Sequence, residues 1–325
     1  NVLFMDAGES DDGDTLTVSL AAGTTTDTGL DFGFTYAYAI GNRVWYDTDN
    51  SSAIDNGEGL DGATKIGIDG VRVELYAADA SGDPTGTILA FDTTANGGYY
   101  LFDYLTADEY VVVIPTSQFA DGAVLEGYKS SATVMDSDGT MSETAITGLT
   151  DDDTDSDDNG TLQSGDVVSV GISLGTAIDS EPAGETDLNS GSQGDQDDDR
   201  ANMTVDFGFY KTEIGNIAFV DVNQDGTYLL ADDTLLDGVT IRLYNADGTV
   251  EIEVGPDGIL GTSDDTTGRV STGDAGNSWG TGIYLFSGLP EGDYVVRAGG
   301  VTNYTSTIDS YDQDDNDDPD DNIDN

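Results

Sequence analysis

The chain contains no cysteine and no histidine, which excludes several common kinds of protein site. Without cysteine there is neither a disulfide nor a thiolate metal site, and without histidine the usual imidazole ligands of zinc and copper are missing. Catalytic triads and thiol nucleophiles built from these residues are excluded as well. Carboxylate, hydroxyl and carbonyl oxygens remain as possible ligands, and these suit calcium.

Basic residues are also scarce. Nine Lys and Arg face 65 Asp and Glu over 325 residues, so the net charge is −56. Such a surface repels nucleic acid and anionic membranes, and no apolar run reaches the ~18 residues of a membrane span. We therefore expect cations as partners, with neither nucleic-acid binding nor membrane insertion.

Catalysis is not expected either. A carboxylate pair could hydrolyse glycosides only if one acid lay in an apolar pocket that raised its pKa. The acids here occur in crowded stretches between strands, and no phosphate-cradling glycine loop precedes a helix. We predict that the protein is not an enzyme.

Residues 47–58 have the spacing of a calcium loop, in which alternate oxygen-bearing residues converge on a hard cation. Counting Asp47 as position one, a glutamate closes the loop at position twelve, and Ser52 stands where the pattern has glycine. The predicted ligands are Asp47, Asp49, Ser51, Ala53 (through its backbone carbonyl), Asp55 and Glu58.

A second loop begins at Asp221 and keeps the glycine at position six. Each loop follows a similar apolar segment and precedes Asp-Gly and an alternating strand, so two copies of one module are expected. A strand ahead of each loop argues against a helix-flanked EF-hand. The predicted ligands of the second loop are Asp221, Asn223, Asp225, Thr227 and Asp232.

Other acidic stretches are further candidates, and several calcium ions per chain are expected. Turn glycines with flanking carboxylates suggest a site at Asp257, Asp264 and Asp265, and both modules carry acidic runs at the same place. The alternatives are solvated acidic turns, or acids that coat the surface of a halophilic protein; clustering between strands favours coordination. The candidates in the runs are Asp136, Asp138, Asp151, Asp153, Asp155, Asp157, Asp312 and Asp314.

Alternating apolar residues predict an all-β chain. In the first module the strands are expected near 40–46, 70–77, 86–92, 98–105, 109–114, 166–174 and 202–210. Six aromatic residues are expected in the cores: Trp45, Phe102, Phe207, Phe209, Phe219 and Phe286. The second module opens at Ile214 but has no counterpart of the last two strands.

Those two strands occur at the other end of the sequence, because residues 164–170 resemble residues 12–18 and residues 206–209 resemble residues 31–34. We predict that residues 1–36 complete the second-type domain of an adjacent repeat. Residues 37–212 would form the first β-sandwich, and residues 213–325 a second one that is incomplete within this chain.

Three arrangements fit this pattern. Residues 1–325 are one period of a long tandem chain, or a separate subunit donates residues 1–36 to its neighbour by strand addition. Both make a head-to-tail contact that does not close on itself, which generates a filament. In the third arrangement, residues 1–36 fold back onto residues 214–325 of their own chain.

The motifs resemble a known family. Residues 40–49, with Asp55 and Glu58, the Asp-Gly-Val at 69–71 and the segment 98–102 are similar to the B-type repeats of serine–aspartate-repeat surface adhesins, relatives of the collagen-adhesin B-type domains. The resemblance implies tandem immunoglobulin-like β-sandwiches that bind several calcium ions and stack into a rigid extracellular stalk. Some relatives carry a Lys–Asn isopeptide crosslink. Because this chain has few lysines, we do not expect one here.

The sequence is consistent with three functions. The first is a calcium-stabilised structural repeat or subunit of an extracellular filament or stalk, whose partners are copies of itself arranged head to tail. The second is an adhesin that binds a glycan or a surface protein, and the third is a surface-layer component of a halophile. All three place the protein outside the cell or at its surface.

Overall fold

The computed structural model describes residues 37–54, 67–143, 157–175, 193, 200–273 and 280–305. Strands make up nearly all of its regular structure, so the all-β prediction is confirmed. A short 3-10 turn covers Thr116–Gln118. In the described part of the chain, no helix is long and apolar enough to cross a membrane.

The strands follow in chain order. The first thirteen are β1 (Tyr38–Tyr46), β2 (Arg72–Ala78), β3 (Pro84–Thr93), β4 (Tyr99–Leu105), β5 (Glu109–Ile114), β6 (Lys129–Ser130), β7 (Thr133–Met135), β8 (Met141–Glu143), β9 (Thr161–Gln163), β10 (Asp166–Val168), β11 (Ile172–Ser173), β12 (Ala201–Asn202) and β13 (Phe207–Tyr210). The remaining eight are β14 (Thr212–Ile217), β15 (Phe219–Val220), β16 (Thr234–Leu235), β17 (Thr240–Asn245), β18 (Glu251–Ile252), β19 (Val270–Ser271), β20 (Ile283–Leu289) and β21 (Tyr294–Gly299).

The chain divides into two compact units. The first comprises the described residues within 37–47, 52–115 and 157–208, and the second comprises those within 48–51, 116–143 and 209–305. The predicted division at residues 36 and 212 stays a prediction.

Two sheets form the described part of the first unit. One has the order β12-β1-β13, with β4 beside β1, and the other has the order β3-β2-β5-β10-β9, with β11 beside β5. Strand β1 pairs antiparallel with β4 and parallel with β12. Apolar side chains from both sheets are fully buried, including Trp45, Leu75, Val112, Ile114 and Phe207.

The second unit contains smaller sheets. Strand β17 pairs with β18 and β19 along one edge and with β21 along the other, while β14 pairs with β20, β15 with β16 and β7 with β8. Strand β6 pairs with the end of β13 at Phe209 and Tyr210. The core of this unit contains Ile241, Leu243, Val270, Phe286 and Leu289.

The same hydrogen bonds recur in both units ahead of the alternating strand. In the first unit, the Thr94 hydroxyl accepts from the Val71 N–H at 2.9 Å and donates to the Ile68 carbonyl at 2.6 Å. In the second unit, the Thr272 hydroxyl accepts from Val239 at 3.1 Å and donates to Leu236 at 2.7 Å. The repeat recognised in the sequence is thus also a repeat of local structure.

The predicted strands of the first unit agree with the structure except in two places. The segment 166–174 is two short strands, because the Ser169 hydroxyl accepts the Val112 N–H in place of a backbone carbonyl. The segment 202–210 is interrupted where the Asn202 side chain accepts from the Thr204 N–H. Five of the six predicted core aromatics are buried, whereas Phe219 is only half-buried.

Candidate metal-binding loops

The second loop is organised around the Asp221 carboxylate, which is only 8% exposed. One of its oxygens accepts from the Gln224 N–H at 2.6 Å and from the Asp225 N–H at 3.3 Å. The other accepts from the Gly226 N–H at 3.0 Å. These bonds wrap the backbone around the first predicted ligand, as a loop that presents alternate residues to one cation requires.

The next predicted ligands are held close together. The Asn223 side-chain NH₂ donates to the Asp225 carboxylate at 2.8 Å, and the Asp225 N–H donates to the side-chain oxygen (Oδ1) of Asn223 at 3.1 Å. The Thr227 N–H donates to Asp225 at 2.9 Å. The structure therefore brings four of the five predicted residues of this loop into one turn.

At the far end of this loop, the carboxylate that turns inward is that of Asp233, the neighbour of the predicted ligand Asp232. Asp232 is exposed, whereas Asp233 is buried and accepts from the Val222 N–H at 3.0 Å and the Leu229 N–H at 2.8 Å. Counting positions from Asp221 points to Asp232, and its role as a ligand stays a prediction. The signal that could have found Asp233 is the Asp-Asp pair itself, because only one of two successive side chains can turn inward before strand β16.

In the first loop, too, the first predicted ligand is buried and bonds to the backbone of the loop. Asp47 is fully buried, and its carboxylate accepts from the Ser52 N–H at 2.9 Å. The Ser51 N–H donates to the Asp49 carboxylate at 3.2 Å. Ala53 forms an antiparallel bridge with Asp157, so one residue of the predicted acidic run lies beside the predicted carbonyl ligand.

The two loops share their backbone conformation. Position four is left-handed in both, with φ of 57° at Asn50 and 62° at Gln224. Position six is also left-handed, with φ of 59° at Ser52 and 80° at Gly226. Ser52 therefore makes the turn expected of the missing glycine, and its N–H bonds to Asp47 as that of Gly226 bonds to Asp221.

Replacing Ser52 by Gly is expected to stabilise the protein by about 0.5–1 kcal/mol, because glycine adopts a left-handed backbone without the steric cost that a Cβ brings. Urea denaturation of wild type and Ser52→Gly measures this difference. The matched control is Ser81→Gly, at an exposed turn residue outside the left-handed set, which should be neutral or destabilising. A Ser52→Gly protein less stable than wild type would contradict the expectation.

The third candidate site surrounds one hydroxyl. The Thr262 oxygen lies 3.0 Å from the Asp257 carboxylate, 3.1 Å from Asp264 and 3.4 Å from Asp265. A hydroxyl has one proton to donate, so it cannot satisfy three carboxylates. Burial raises the pKa of Asp257 and of Asp265, and the Asp264 charge adds to both rises.

A lysine already lies beside this third cluster. The Lys129 ammonium donates to the Leu260 carbonyl at 2.8 Å. Burial lowers the pKa of Lys129 to about 8, while the Asp265 charge acts in the opposite direction. Because Lys129 brings a positive charge of its own, the case for a bound cation is weaker here than in the loop at Asp221.

The remaining predicted ligands lie away from these three candidate sites or outside the described residues. Asp136 and Asp138 are exposed in the turn of the β7–β8 hairpin, where the Asp138 carboxylate accepts from the Thr140 N–H at 3.0 Å. Seven others lie outside the described residues: Asp55, Glu58, Asp151, Asp153, Asp155, Asp312 and Asp314. Within the described ranges, no group of three or more acidic side chains is placed so that it could hold a metal ion.

The family profile described as the SdrD B-like domain matches residues 38–165. This stretch therefore resembles an SdrD B-like domain. The resemblance to B-type repeats of serine–aspartate-repeat proteins is thereby confirmed, and with it the predicted extracellular or cell-surface location. The matched stretch contains the first loop, strands β1 to β9 and the 3-10 turn.

Two curated relatives match a larger part of the chain than the family profile does, and a third matches a shorter part. The serine-aspartate repeat-containing protein F of Staphylococcus epidermidis is 26% identical over 342 residues, which cover 86% of this chain and 18% of the relative. Protein D of Staphylococcus aureus (strain Newman) is 26% identical over 273 residues, 83% of this chain and 14% of the relative. The fibrinogen-binding protein of S. epidermidis is 39% identical over 88 residues, 26% of this chain and 7% of the relative. The chain thus spans less than a fifth of these relatives.

Solved structures show a more distant likeness. The shaft pilin SpaA of Lactobacillus rhamnosus GG is 12% identical, with a TM-score of 0.31 over 84% of this chain and 91% of the pilin. The minor pilin GBS52 of Streptococcus agalactiae is 14% identical, with a TM-score of 0.27 over 82% of this chain and 84% of the pilin. TM-scores this low carry no argument about assembly or chemistry.

Proposed function

We propose that the protein is a non-catalytic, calcium-stabilised structural repeat of an extracellular filament or stalk, in which copies associate head to tail. The family assignment supports a cell-surface structural or adhesin-like module. The observation that supports calcium binding is the loop at Asp221. Four predicted ligands share one turn there, and the inward-facing Asp233 lies at the far end of the loop.

Electrostatics explains why a cation would stabilise this loop. Two carboxylates ~4 Å apart repel by about 1 kcal/mol in water and by about 4 kcal/mol at the effective dielectric of a protein surface. Asp221 and Asp233 are both buried, so bulk water screens their charges poorly. A divalent ion held between them would replace this repulsion by attraction, and it would stabilise the folded state by binding to it.

The experiment is thermal unfolding of the whole chain in calcium, in magnesium and in chelator, with electron microscopy of the same samples. One site filled at 100 times its dissociation constant stabilises the protein by about 2.7 kcal/mol, which shifts the unfolding midpoint by roughly 5–10 °C. Calcium should raise the midpoint and favour filaments. Magnesium should do less, because it requires a smaller, octahedral ligand set. An identical midpoint in calcium and in chelator would contradict the proposal.

An adhesin is the second candidate function, and one feature favours it. Strand β3 lies at the edge of its sheet, and Ile88, Leu89 and Phe91 are exposed on it. Exposed apolar residues on a sheet edge can add a strand from a partner. A protein that stays monomeric in calcium and binds a glycan or protein ligand would favour this candidate over the filament.

A further inference from the structure

Strand β21 of the second unit is the repeat counterpart of β5 in the first. Both carry the sequence Tyr-Val-Val, and Leu75 pairs with Val112 as Leu243 pairs with Val296. The Tyr110 hydroxyl donates to the Thr106 carbonyl, and the Tyr294 hydroxyl donates to the Pro290 carbonyl, in each case four residues upstream. Residues of β21 can therefore be matched one by one to residues of β5.

The two counterparts differ in what lies beside them. Strand β5 is flanked by β2 on one edge and by β10 and β11 on the other. Strand β21 pairs with β17, and along its second edge the described residues supply no strand. Accordingly, five of the six residues of β5 are buried and none of β21 is. Val112 is 0% exposed, whereas its counterpart Val296 is 36% exposed.

Strand β14, the counterpart of β1, shows the same contrast. Strand β1 lies between β4 on one edge and β12 and β13 on the other, and its seven central residues are buried. Strand β14 pairs with β20, no second neighbour occurs among the described residues, and none of its residues is buried. In the described part of the second unit, two strand edges are thus open, at the places that β10, β11 and β13 fill in the first.

The sequences of β10, β11 and β13, the strands that cover these edges in the first unit, recur near the start of the sequence. Residues 165–175 read GDVVSVGISLG, and residues 13–23 read GDTLTVSLAAG. Residues 206–209 read DFGF, as do residues 31–34. No charged residue occurs from Thr15 to Thr26, so this segment can approach a second molecule despite a net charge of −56.

We propose that residues 13–23 and 31–34 of a second copy occupy the open edges of β21 and β14, a pairing that rests on the head-to-tail assembly proposed above. The first unit sets the register. Because Val168 pairs with Val113, Leu16 pairs with Arg297 of the next copy; because Ile172 pairs with Tyr110, Leu20 pairs with Tyr294. Backbone hydrogen bonds along both edges supply the affinity.

A carboxylate anchors the second donated strand. In the first unit, the Asp206 carboxylate accepts from the Arg43 N–H at 3.1 Å and from the Asn42 amide at 3.2 Å. The matched residues are Asp31 in the donor and Ile217, at the position of Arg43, in the acceptor. Asp31 of one copy therefore bonds to the β14 edge of the next, which fixes its register.

Cysteine crosslinking tests the pairing, because the chain has no thiol of its own. The variant Leu16→Cys/Arg297→Cys places two thiols opposite each other on the same face of adjacent strands, within reach of a disulfide. Under mild oxidation in calcium, the expected product is a ladder of dimers and larger species on a non-reducing gel. The control variant Thr15→Cys/Arg297→Cys directs one thiol to the opposite face, and its ladder should be lost.

Each other outcome is decisive. A crosslinked monomer would show that the segment pairs within its own chain, which overturns the assignment to a second copy. Filaments in the microscope without any crosslink would overturn the strand pairing and leave the proposed function standing. Uncrosslinked monomers without filaments would overturn both.

A second variant tests the donor strand without thiols. Thr17 matches Ser169, whose N–H donates to the Val112 carbonyl at 2.9 Å. Thr17→Pro removes this N–H, and a proline cannot take part in a strand ladder at such a position. Loss of pelletable assembly in Thr17→Pro, with full assembly in the control Thr25→Pro, supports the pairing; equal assembly of both overturns it.

Discussion

Replacing Asp221 by Ala is expected to destabilise the second unit by about 3 kcal/mol, because three backbone N–H groups lose their common acceptor and each such bond is worth about 1 kcal/mol. These donors belong to Gln224, Asp225 and Gly226. Urea denaturation in chelator measures this cost alone. The same measurement in calcium adds the loss of a ligand, so the difference between wild type and variant should be larger there.

The neighbouring acids supply matched controls. Asp232→Ala removes an exposed side chain and should change stability by less than about 0.5 kcal/mol, whereas Asp233→Ala removes the acceptor of two N–H groups and should cost about 2 kcal/mol. If Asp232→Ala abolishes the calcium effect and Asp233→Ala leaves it intact, the position counted from the sequence is the ligand. An Asp221→Ala protein as stable as wild type would contradict the account of the loop.

Replacing Asp206 by Ala is expected to destabilise the first unit by about 3 kcal/mol. Asp206 is 0% exposed, and its carboxylate accepts from the Arg43 N–H and the Asn42 amide of β1. Without that carboxylate, two buried donors lose their acceptor, and each costs about 1–3 kcal/mol in desolvation. In a Trp279→Phe background, which leaves Trp45 as the one tryptophan, thermal or urea unfolding followed by fluorescence reports on this unit.

The control for this prediction is Asp103→Ala, which removes one negative charge from an exposed position of β4 in the same unit. Its effect should stay within about 0.5 kcal/mol. The conservative variant Asp206→Asn keeps one oxygen but directs an NH₂ group at a donor, so a cost between those of the two alanine variants is expected. Equal stability of Asp206→Ala and Asp103→Ala would show that the buried carboxylate is not a structural link.

Much of the first unit could be predicted from alternation alone. The segments expected near 40–46, 98–105 and 109–114 are strands β1, β4 and β5, because each carries the apolar residues that a sheet must bury. The breaks in the two later segments were not predicted. They depend on where the side chains of Ser169 and Asn202 find partners, and an apolar pattern does not contain that information.

In the candidate loops, too, some features could be predicted from the sequence and others could not. The turn at Ser52 follows from an aspartate five residues earlier, and the spacing of oxygen-bearing residues located it even though glycine is absent. The inward orientation of Asp233 depends on N–H groups of Val222 and Leu229, which lie on two different parts of the loop. Counting along the chain could not decide between two adjacent aspartates.

The amino-acid order alone determined the chemistry and the repeat: only oxygen ligands are present, acids recur at calcium spacing, and the motifs of one module occur twice. These properties depend on residue type and on separations of a few positions, so they can be recognised before any folding. The tertiary structure decided which strands lie side by side, that β5 has described neighbours on both edges while β21 and β14 each have one, and which of two aspartates turns inward. Pairing and burial arise from contacts between residues far apart in the chain, whose geometry no local pattern encodes.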